Sequence, residues 1–170
     1  MCISARRGLL FFIKTCIISV RLPYKGRLLR EIHEGGYLMD RELNWAVLGT
    51  GVIANEMAQA LQKMNRTLYA VGNRTYQKAV DFAEKYQVKK IYGAIDEMFT
   101  DENVDIIYIT SPHNTHYEFM KKALRNGKHI LVEKSITLNS RELEEMVALA
   151  GEKNCILAEA MTIWHMPLYK

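Results

Sequence analysis

Short apolar runs alternate with longer amphipathic segments over most of the chain. Trp45–Leu48 and Ile130–Val132 are continuous apolar runs of strand length, as expected for strands buried on both faces of a parallel sheet. The segment after the first run carries apolar residues at helical spacing, namely Met57, Ala60, Leu61 and Met64. This alternation predicts an α/β fold in which right-handed crossover helices cover both faces of a doubly wound parallel sheet.

The same periodicities predict the remaining elements. Further apolar runs indicate strands at residues 67–71, 90–92, 105–110 and 155–161. Helical spacing predicts a second helix that buries Ala79, Phe82, Ala83 and Tyr86. Two more helices are predicted at about 116–126 and 140–152, and the last is expected to bury Leu143, Met146, Val147 and Ala150.

Two of these helices carry recognisable end signals. Thr115 with Glu118 matches a capping box at the start of the helix over 116–126, and Gly127 matches a C-terminal cap at its end. Asn139 with Glu142 is expected to cap the start of the last helix. No internal repeat or low-complexity segment interrupts the pattern, so residues 39–160 are predicted to form one domain.

A glycine-rich segment, Gly49-Thr50-Gly51-Val52-Ile53-Ala54, joins the first strand to the first helix. In the pattern G-x-G-x-x-A, the first glycine allows a tight turn and the second lets a pyrophosphate approach the backbone. The helix N-terminus then directs N–H groups at the phosphates. A glycine turn also occurs in other α/β proteins, but its place at the start of a repeating β-α pattern favours dinucleotide binding in a Rossmann-type fold.

The end of the second predicted strand bears on the choice of cofactor. The segment Gly72-Asn73-Arg74-Thr75 contains an arginine and no acidic residue. In dinucleotide-binding folds an acid at this point binds the 2′-hydroxyl of NAD, whereas an arginine accommodates the 2′-phosphate of NADP. NADP is therefore expected in preference to NAD, with a solvated turn arginine as the alternative interpretation of Arg74.

The charge is unevenly distributed, and this changes how the chain is divided. The 170 residues carry a formal net charge of +4, but residues 1–38 carry +5 and the remainder carries −1. The basic character belongs to the N-terminal segment, so the domain is not expected to bind nucleic acid.

Residues 1–38 are expected to be a leader outside the fold. Its apolar segment Leu9–Val20 contains Lys14 and is shorter than the roughly 20 residues that span a bilayer, so no membrane partner is expected. Glu34-Gly35-Gly36 is what a purine-rich ribosome-binding site encodes when it is translated, and Met39 follows at a suitable distance. We expect Met39 to be the natural start; a genuine leader and a targeting segment are the alternatives.

Cysteines and histidines add little further chemistry. Cys2, Cys16 and Cys155 are widely spaced and odd in number, which favours a reducing compartment and a cytoplasmic location. His113 and His116 form an H-x-x-H pattern, but no neighbouring Cys or further His completes a metal-ligand set. A loop that positions cofactor or substrate is therefore favoured over a metal site.

Residues 43–170 resemble the N-terminal, nucleotide-binding part of the Gfo/Idh/MocA family, the relatives of glucose–fructose oxidoreductase and inositol dehydrogenase. The matching segments are AVLGTGVIA, VGNRT, YITSPHNTHYEFMKKALRNGKHILVEK and AEAM. The third is the most specific, because in this family a helix ends in GKH and the following strand ends in Glu-Lys-Pro. Within the family, LAEAMTIWHMPLY is most similar to the dihydrodiol dehydrogenase branch, which uses NADP.

The resemblance implies roles for residues at the predicted strand ends. Lys134 would be catalytic, because the family's lysine at this position faces the nicotinamide and the reacting C–OH of the substrate, where an ammonium stabilises charge on the oxygen. Glu133 would help to hold the cofactor. The chain departs from the family at Ser135, where a proline usually constrains the backbone of the lysine. The implied cofactor-binding residues are Gly49, Thr50, Gly51, Val52, Ile53, Asn73, Arg74, Thr110, Ser111, His113, Asn114, His116, Glu133 and Lys134.

The resemblance also implies a C-terminal α/β substrate domain with an antiparallel sheet, which supplies the substrate pocket and the oligomer interface. The sequence ends at Lys170, so this domain is expected to be absent and residues 161–170 to begin the crossing into it. The expected function is NAD(P)-dependent hydride transfer between a nicotinamide cofactor and a sugar, polyol or diol hydroxyl. The full-length enzyme would be a homo-oligomer, whereas this chain would be inactive alone. A non-catalytic dinucleotide-binding module or regulator is the alternative.

Overall fold

The computed structural model describes residues 43–161, and within this range it confirms the predicted alternation of strands and helices. The strands are β1 (Trp45–Leu48), β2 (Ala70–Gly72), β3 (Lys90–Ile91), β4 (Ile106–Ile109), β5 (His129–Val132) and β6 (Leu157–Glu159). These strands form one sheet in the order β3-β2-β1-β4-β5-β6, and every neighbouring pair is parallel. This order defines the doubly wound Rossmann arrangement.

The helices connect consecutive strands. In the described range they are α1 (Val52–Gln62), α2 (Tyr76–Tyr86), α3 (Ile95–Thr100), α4 (His116–Arg125) and α5 (Ser140–Glu152). A 3₁₀ turn at His113–Thr115 precedes α4. Each of these helices is too short or too polar to cross a membrane. The predicted leader, residues 1–38, lies outside the described residues, as does the predicted crossing segment beyond Met161.

Each face of the sheet has its own hydrophobic core. On one face, Val47, Tyr108 and Leu131 pack with buried residues of α1 and α2. On the other face, Leu48 and Ile130 pack with buried residues of α3, α4 and α5. Successive residues of a strand point to opposite faces of the sheet. A strand covered on both sides is therefore apolar throughout, which explains the continuous apolar runs in the sequence.

The helix faces predicted from periodicity are confirmed in α2 and only partly in α5. The buried residues of α2 are the predicted Ala79, Phe82, Ala83 and Tyr86. In α5, Met146 and Ala150 are buried, but Val147 is 58% exposed, so the prediction that it is buried is wrong. Because α5 leads to the edge strand β6, a narrower stripe of this helix is covered.

Element ends follow the sequence signals less closely. Strand β2 begins three residues later than predicted. Gly127 has a φ of +71° just beyond α4, and Oδ1 of Asn139 accepts a hydrogen bond from the backbone N–H of Glu142 over 3.0 Å, so both of these caps are confirmed. The capping box at Thr115 is wrong, because its hydroxyl donates to the carbonyl oxygen of Pro112 over 2.6 Å instead.

Candidate cofactor site

The candidate site lies at the carboxyl ends of four strands. Strands β1 and β4 are neighbours in the sheet although β2 and β3 separate them in the sequence. In doubly wound sheets, ligands bind in the crevice at such a switch point. The predicted residues follow these strands in four groups, Gly49–Ile53 after β1, Asn73 and Arg74 after β2, Thr110–Asn114 after β4, and Glu133 with Lys134 after β5.

The turn after β1 requires glycine at its first position. Gly49 has a φ of +114°, and a Cβ there would lie 2.5 Å from Oγ1 of Thr110. That hydroxyl is fixed, because it donates to the carbonyl oxygen of Leu48 over 3.1 Å. The backbone N–H of Gly49 donates to the carbonyl oxygen of Gly72 over 2.8 Å. The turn is thus packed between the ends of β2 and β4.

The second glycine of the motif is open. A Cβ on Gly51 would meet no protein atom within 4 Å. Gly51 is the N-cap of α1, so the first N–H groups of the helix follow it directly, and these have no partners within a helix. Val52, the first residue of α1, is 74% exposed. An accessible backbone beside a helix N-terminus fits the pyrophosphate of a dinucleotide.

Asn55, a residue outside the glycine motif, stabilises this turn through hydrogen bonds to its backbone. Its Nδ2 donates to the carbonyl oxygens of Gly51 and Thr50, over 2.8 Å and 3.1 Å. Its Oδ1 accepts from the hydroxyl of Tyr86 over 2.8 Å and from Nζ of Lys85 over 3.0 Å. The two donors to Oδ1 come from α2, so the sequence around Asn55 does not reveal this link between the turn and α2.

A side-chain hydrogen bond joins the glycine turn to the end of β2. Nδ2 of Asn73 donates to Oγ1 of Thr50 over 2.9 Å. The next residue, Arg74, is exposed, and so is Tyr76 at the start of α2. This is the side of the switch point on which a dinucleotide places its adenosine ribose.

The segment after β4 is partly fixed and partly exposed. The hydroxyl oxygens of Ser111 and Thr115 are hydrogen-bonded over 2.7 Å. His113 and Asn114 are exposed, and Thr110 is half-buried. His113 and Asn114 are therefore the members of this group with the freest access to a ligand.

His116 occupies a different environment from the other predicted residues. It is fully buried, and its ring lies edge-on to the ring of His113 with 5.5 Å between the centroids. Nδ1 lies 2.9 Å from the carbonyl oxygen of Ser135, and Nε2 lies 2.9 Å from that of Ser111. Each ring nitrogen thus lies against a backbone carbonyl oxygen inside the fold, and burial leaves neither accessible to a cofactor.

The two charged residues after β5 have different surroundings. The buried Tyr108 donates its hydroxyl hydrogen bond to Oε1 of Glu133, and the backbone N–H of Glu133 continues the sheet by donating to Ile109 over 2.9 Å. Lys134 is exposed, and the peptide bond that links it to Ser135 is cis. Tyr108 had no signal of its own in the sequence, where it forms part of an apolar strand.

A carboxylate with two side-chain donors, Asp101, lies near the amino ends of the strands, away from the candidate site. Burial acts to raise the pKa of Asp101, but hydrogen bonds from Lys90 and Tyr92 outweigh it and lower that pKa well below its usual range. A cavity of about 130 Å³ at the same edge is lined by residues that include Asn44 and Arg66. It lies at the end of the sheet opposite the candidate site.

Among residues 43–161, no three His, Cys, Asp or Glu side chains are grouped as metal ligands.

The strand order, the glycine turn and the open helix N-terminus define a NAD(P)-binding Rossmann domain. Residues 43–161 match the model of the Gfo/Idh/MocA family, an oxidoreductase family with an NAD-binding Rossmann fold. The chain belongs to this family, and the resemblance found in its sequence is confirmed.

Similar curated proteins agree with the predicted branch of the family. The chain is 33% identical over 129 residues to trans-1,2-dihydrobenzene-1,2-diol dehydrogenase of Xenopus laevis, which covers 74% of this chain and 39% of the relative. It is 34% identical over 125 residues to the human enzyme of the same name, with 72% and 37% covered. The chain therefore spans about two fifths of the length of the curated relatives it matches.

Solved structures with the same fold include proteins named for either cofactor. An NAD binding oxidoreductase from Klebsiella pneumoniae superposes with a TM-score of 0.65 at 28% identity, covering 69% of this chain and 34% of that one. A 3-ketoreductase from Actinomadura kijaniata, in complex with NADP and TDP-benzene, gives a TM-score of 0.65 at 28% identity, with 71% and 37% covered. The fold is thus compatible with NAD and with NADP.

Proposed function

We propose that this domain binds a nicotinamide dinucleotide and serves an oxidoreductase that moves a hydride between that cofactor and a hydroxyl of a sugar, polyol or diol. The observation that carries the proposal is the convergence of the glycine turn, Arg74 and Lys134 at one edge of the sheet. Similarity to proteins named as a diol dehydrogenase and a 3-ketoreductase supports the substrate class.

Each group of residues has a part in holding the cofactor. The backbone at Gly51 and the N-terminus of α1 would hold the pyrophosphate, because N–H groups there have no partners within the helix. Asn73 and Arg74 would hold the adenosine ribose. An exposed guanidinium matches a 2′-phosphate, which an NAD molecule lacks, so NADP is the preferred cofactor and NAD the weaker one. The nicotinamide, when bound, supplies the hydride acceptor or donor.

Lys134 is the residue proposed to act on the substrate. Its exposed ammonium at the end of β5 would donate a hydrogen bond to the reacting oxygen and stabilise the charge that develops there. Glu133, held by Tyr108, would stay on the cofactor side. Orienting the substrate and excluding water need further surfaces. We therefore expect activity in an enzyme that includes the family's second domain. We also expect that enzyme to be a cytoplasmic homo-oligomer.

The cofactor proposal is tested by titrating the purified chain with NADPH and with NADH and following the fluorescence of the nicotinamide. NADPH should bind more tightly, and Arg74→Ala should weaken it by about ten-fold or more, since a charge-assisted hydrogen bond contributes about 1.5–3 kcal/mol. NADH binding should change little. Arg125→Ala, which removes an exposed arginine at the far end of α4, is the matched control.

The possible results separate the parts of the proposal. Equal losses of NADPH and NADH affinity in Arg74→Ala would remove this residue from the 2′-phosphate site. Failure of the unaltered chain to bind either dinucleotide would reject the proposed function.

A further inference from the structure

The two backbone groups that follow Lys134 are each bonded to a side chain from a distant element. The carbonyl oxygen of Ser135 lies 2.9 Å from Nδ1 of His116 in α4. The backbone N–H of Ile136 donates to Oε1 of Glu159 in β6 over 2.8 Å. Strand β5 ends at Val132. These two bonds therefore hold the loop that follows the strand, outside the sheet itself.

His116 links this loop to the neighbouring one. It is fully buried, and its second ring nitrogen lies 2.9 Å from the carbonyl oxygen of Ser111. A neutral imidazole donates to one of two such carbonyls at a time, and an imidazolium donates to both. The ring thus packs between the chain where it leaves β4 and where it leaves β5, and in the tautomer with Nδ1 protonated it donates to Ser135.

Glu159 acts from the other side. It is the last residue of the edge strand β6 and is paired in register with Val132. Its half-buried carboxylate accepts a backbone N–H, and hydrogen bonds to an ionised acceptor are about twice as strong as neutral ones. The acceptor thus comes from the strand next to β5, directly beside the loop that it holds.

These bonds bear on the one departure of this segment from the family pattern. By the sequence resemblance described above, Ser135 stands where the family pattern has a proline, and a proline ring restricts the backbone by fixing its own φ. A serine imposes no such restriction. Here the side chains of His116 and Glu159 hold the consecutive residues Ser135 and Ile136 instead.

We propose that Glu159 and His116 are positioning residues for Lys134, because they hold the backbone that directly follows this exposed lysine. This inference rests on the proposed function, in which the ammonium acts on a substrate oxygen. Both residues would act through the backbone of the loop that follows the lysine. A group that acts at near-contact distance loses effectiveness when its supporting backbone loosens, even if its chemistry is intact.

The test compares Glu159→Ala with Glu159→Gln by NMR of the full chain without cofactor. Glutamine keeps an oxygen acceptor and loses the charge, whereas alanine loses both. The first measurement is the exchange rate of the Ile136 amide, and the second is the relaxation of Cε in Lys134, which reports the order of its side chain. Glu152→Ala removes an exposed carboxylate that forms an ion pair with Lys153, and it serves as the control.

Glu159→Ala should speed exchange at Ile136 by about ten-fold or more and disorder the Lys134 side chain, since a bond to a charged acceptor is lost. Glu159→Gln keeps a weaker, neutral acceptor, so it should fall between the wild type and Glu159→Ala in both measurements. Glu152→Ala should match the wild type in both measurements. His116→Asn, judged only if it stays folded, should disorder Lys134 in the same way.

Two results would overturn the inference. One is an unchanged Lys134 side chain in Glu159→Ala. The other is an Ile136 amide that exchanges at the wild-type rate in Glu159→Ala, which would mean that the bond to Glu159 does not hold this backbone group. Because these measurements use the free chain, a failure to bind NADPH would count against the proposed function and leave this test intact.

Discussion

A Cβ on Gly49 would stand 2.5 Å from the hydroxyl oxygen of Thr110. That hydroxyl is held in place by its hydrogen bond to Leu48, so it has no simple way to move aside. Two residues later, a Cβ on Gly51 would meet no protein atom within 4 Å. The two glycines of one motif therefore serve different purposes, the first for the packing of the fold and the second for the approach of a ligand.

Alanine substitutions should separate these purposes. Gly49→Ala should lower the free energy of unfolding by about 1–2 kcal/mol from its left-handed backbone alone, with a further loss from the overlap with Thr110. Gly51→Ala should leave thermal unfolding nearly unchanged and weaken NADPH by about ten-fold, as expected for one lost charge-assisted contact. Thermal unfolding and NADPH titration of both variants check this. Equal destabilisation by the two substitutions would contradict it.

The bond from Asn73 to Thr50 joins β2 to the glycine turn, so it should matter for both cofactors. Asn73→Ala should cost about 0.5–1.5 kcal/mol of stability and weaken NADPH and NADH by similar factors, unlike Arg74→Ala. A double-mutant cycle with Thr50→Val isolates the pair, because the two substitutions should be less than additive. Strict additivity in unfolding free energy would show that the bond contributes nothing.

Lys134 should affect the rate of the reaction more than cofactor binding. In a relative that carries the second domain, replacing the matching lysine by alanine should lower kcat by roughly 10²–10⁴-fold, the usual range for a positioned acid or base. Arginine should not restore it fully, because a planar guanidinium does not replace a compact ammonium. Steady-state kinetics give the answer, and an unchanged kcat in the alanine variant would exclude the catalytic role.

Acid should weaken the fold through Asp101, whose side chain is 6% exposed. Despite the opposing effect of burial, hydrogen bonds from Lys90 and Tyr92 lower its pKa below the ordinary 3.8. Because the folded pKa is the lower one, its stabilising contribution is complete above the ordinary value and is lost progressively as the pH falls towards the folded pKa.

Asp101→Asn should therefore destabilise the chain most at neutral pH, and the difference from wild type should shrink below about pH 4. Urea unfolding at a series of pH values measures this difference. Asp96→Asn, which alters an exposed carboxylate bonded to Lys122, should show a much smaller effect. A wild-type advantage that stays constant down to strongly acid pH would show that Asp101 does not titrate as argued.

The sequence by itself determined the fold class and the place of the site. Parallel strands covered on both faces must be apolar throughout, so β1 and β5 were recognisable as short apolar runs. Amphipathic periodicity identified the buried face of α2. The G-x-G-x-x-A spacing located the turn, because a tight backbone there admits few residue types. Each of these signals depends on residues that are near one another in the chain, so one sequence is enough to detect it.

Only the tertiary structure decided which side chains support the site. Asn55 receives Tyr86 and Lys85 from α2, and Glu159 reaches Ile136 from β6. One local signal also failed, since the hydroxyl of Thr115 bonds to Pro112 in the preceding 3₁₀ turn and does not cap α4. A hydrogen bond between distant elements depends on strand order, register and helix placement together. Periodicity along one chain records which residues are buried, but it does not record which residues meet.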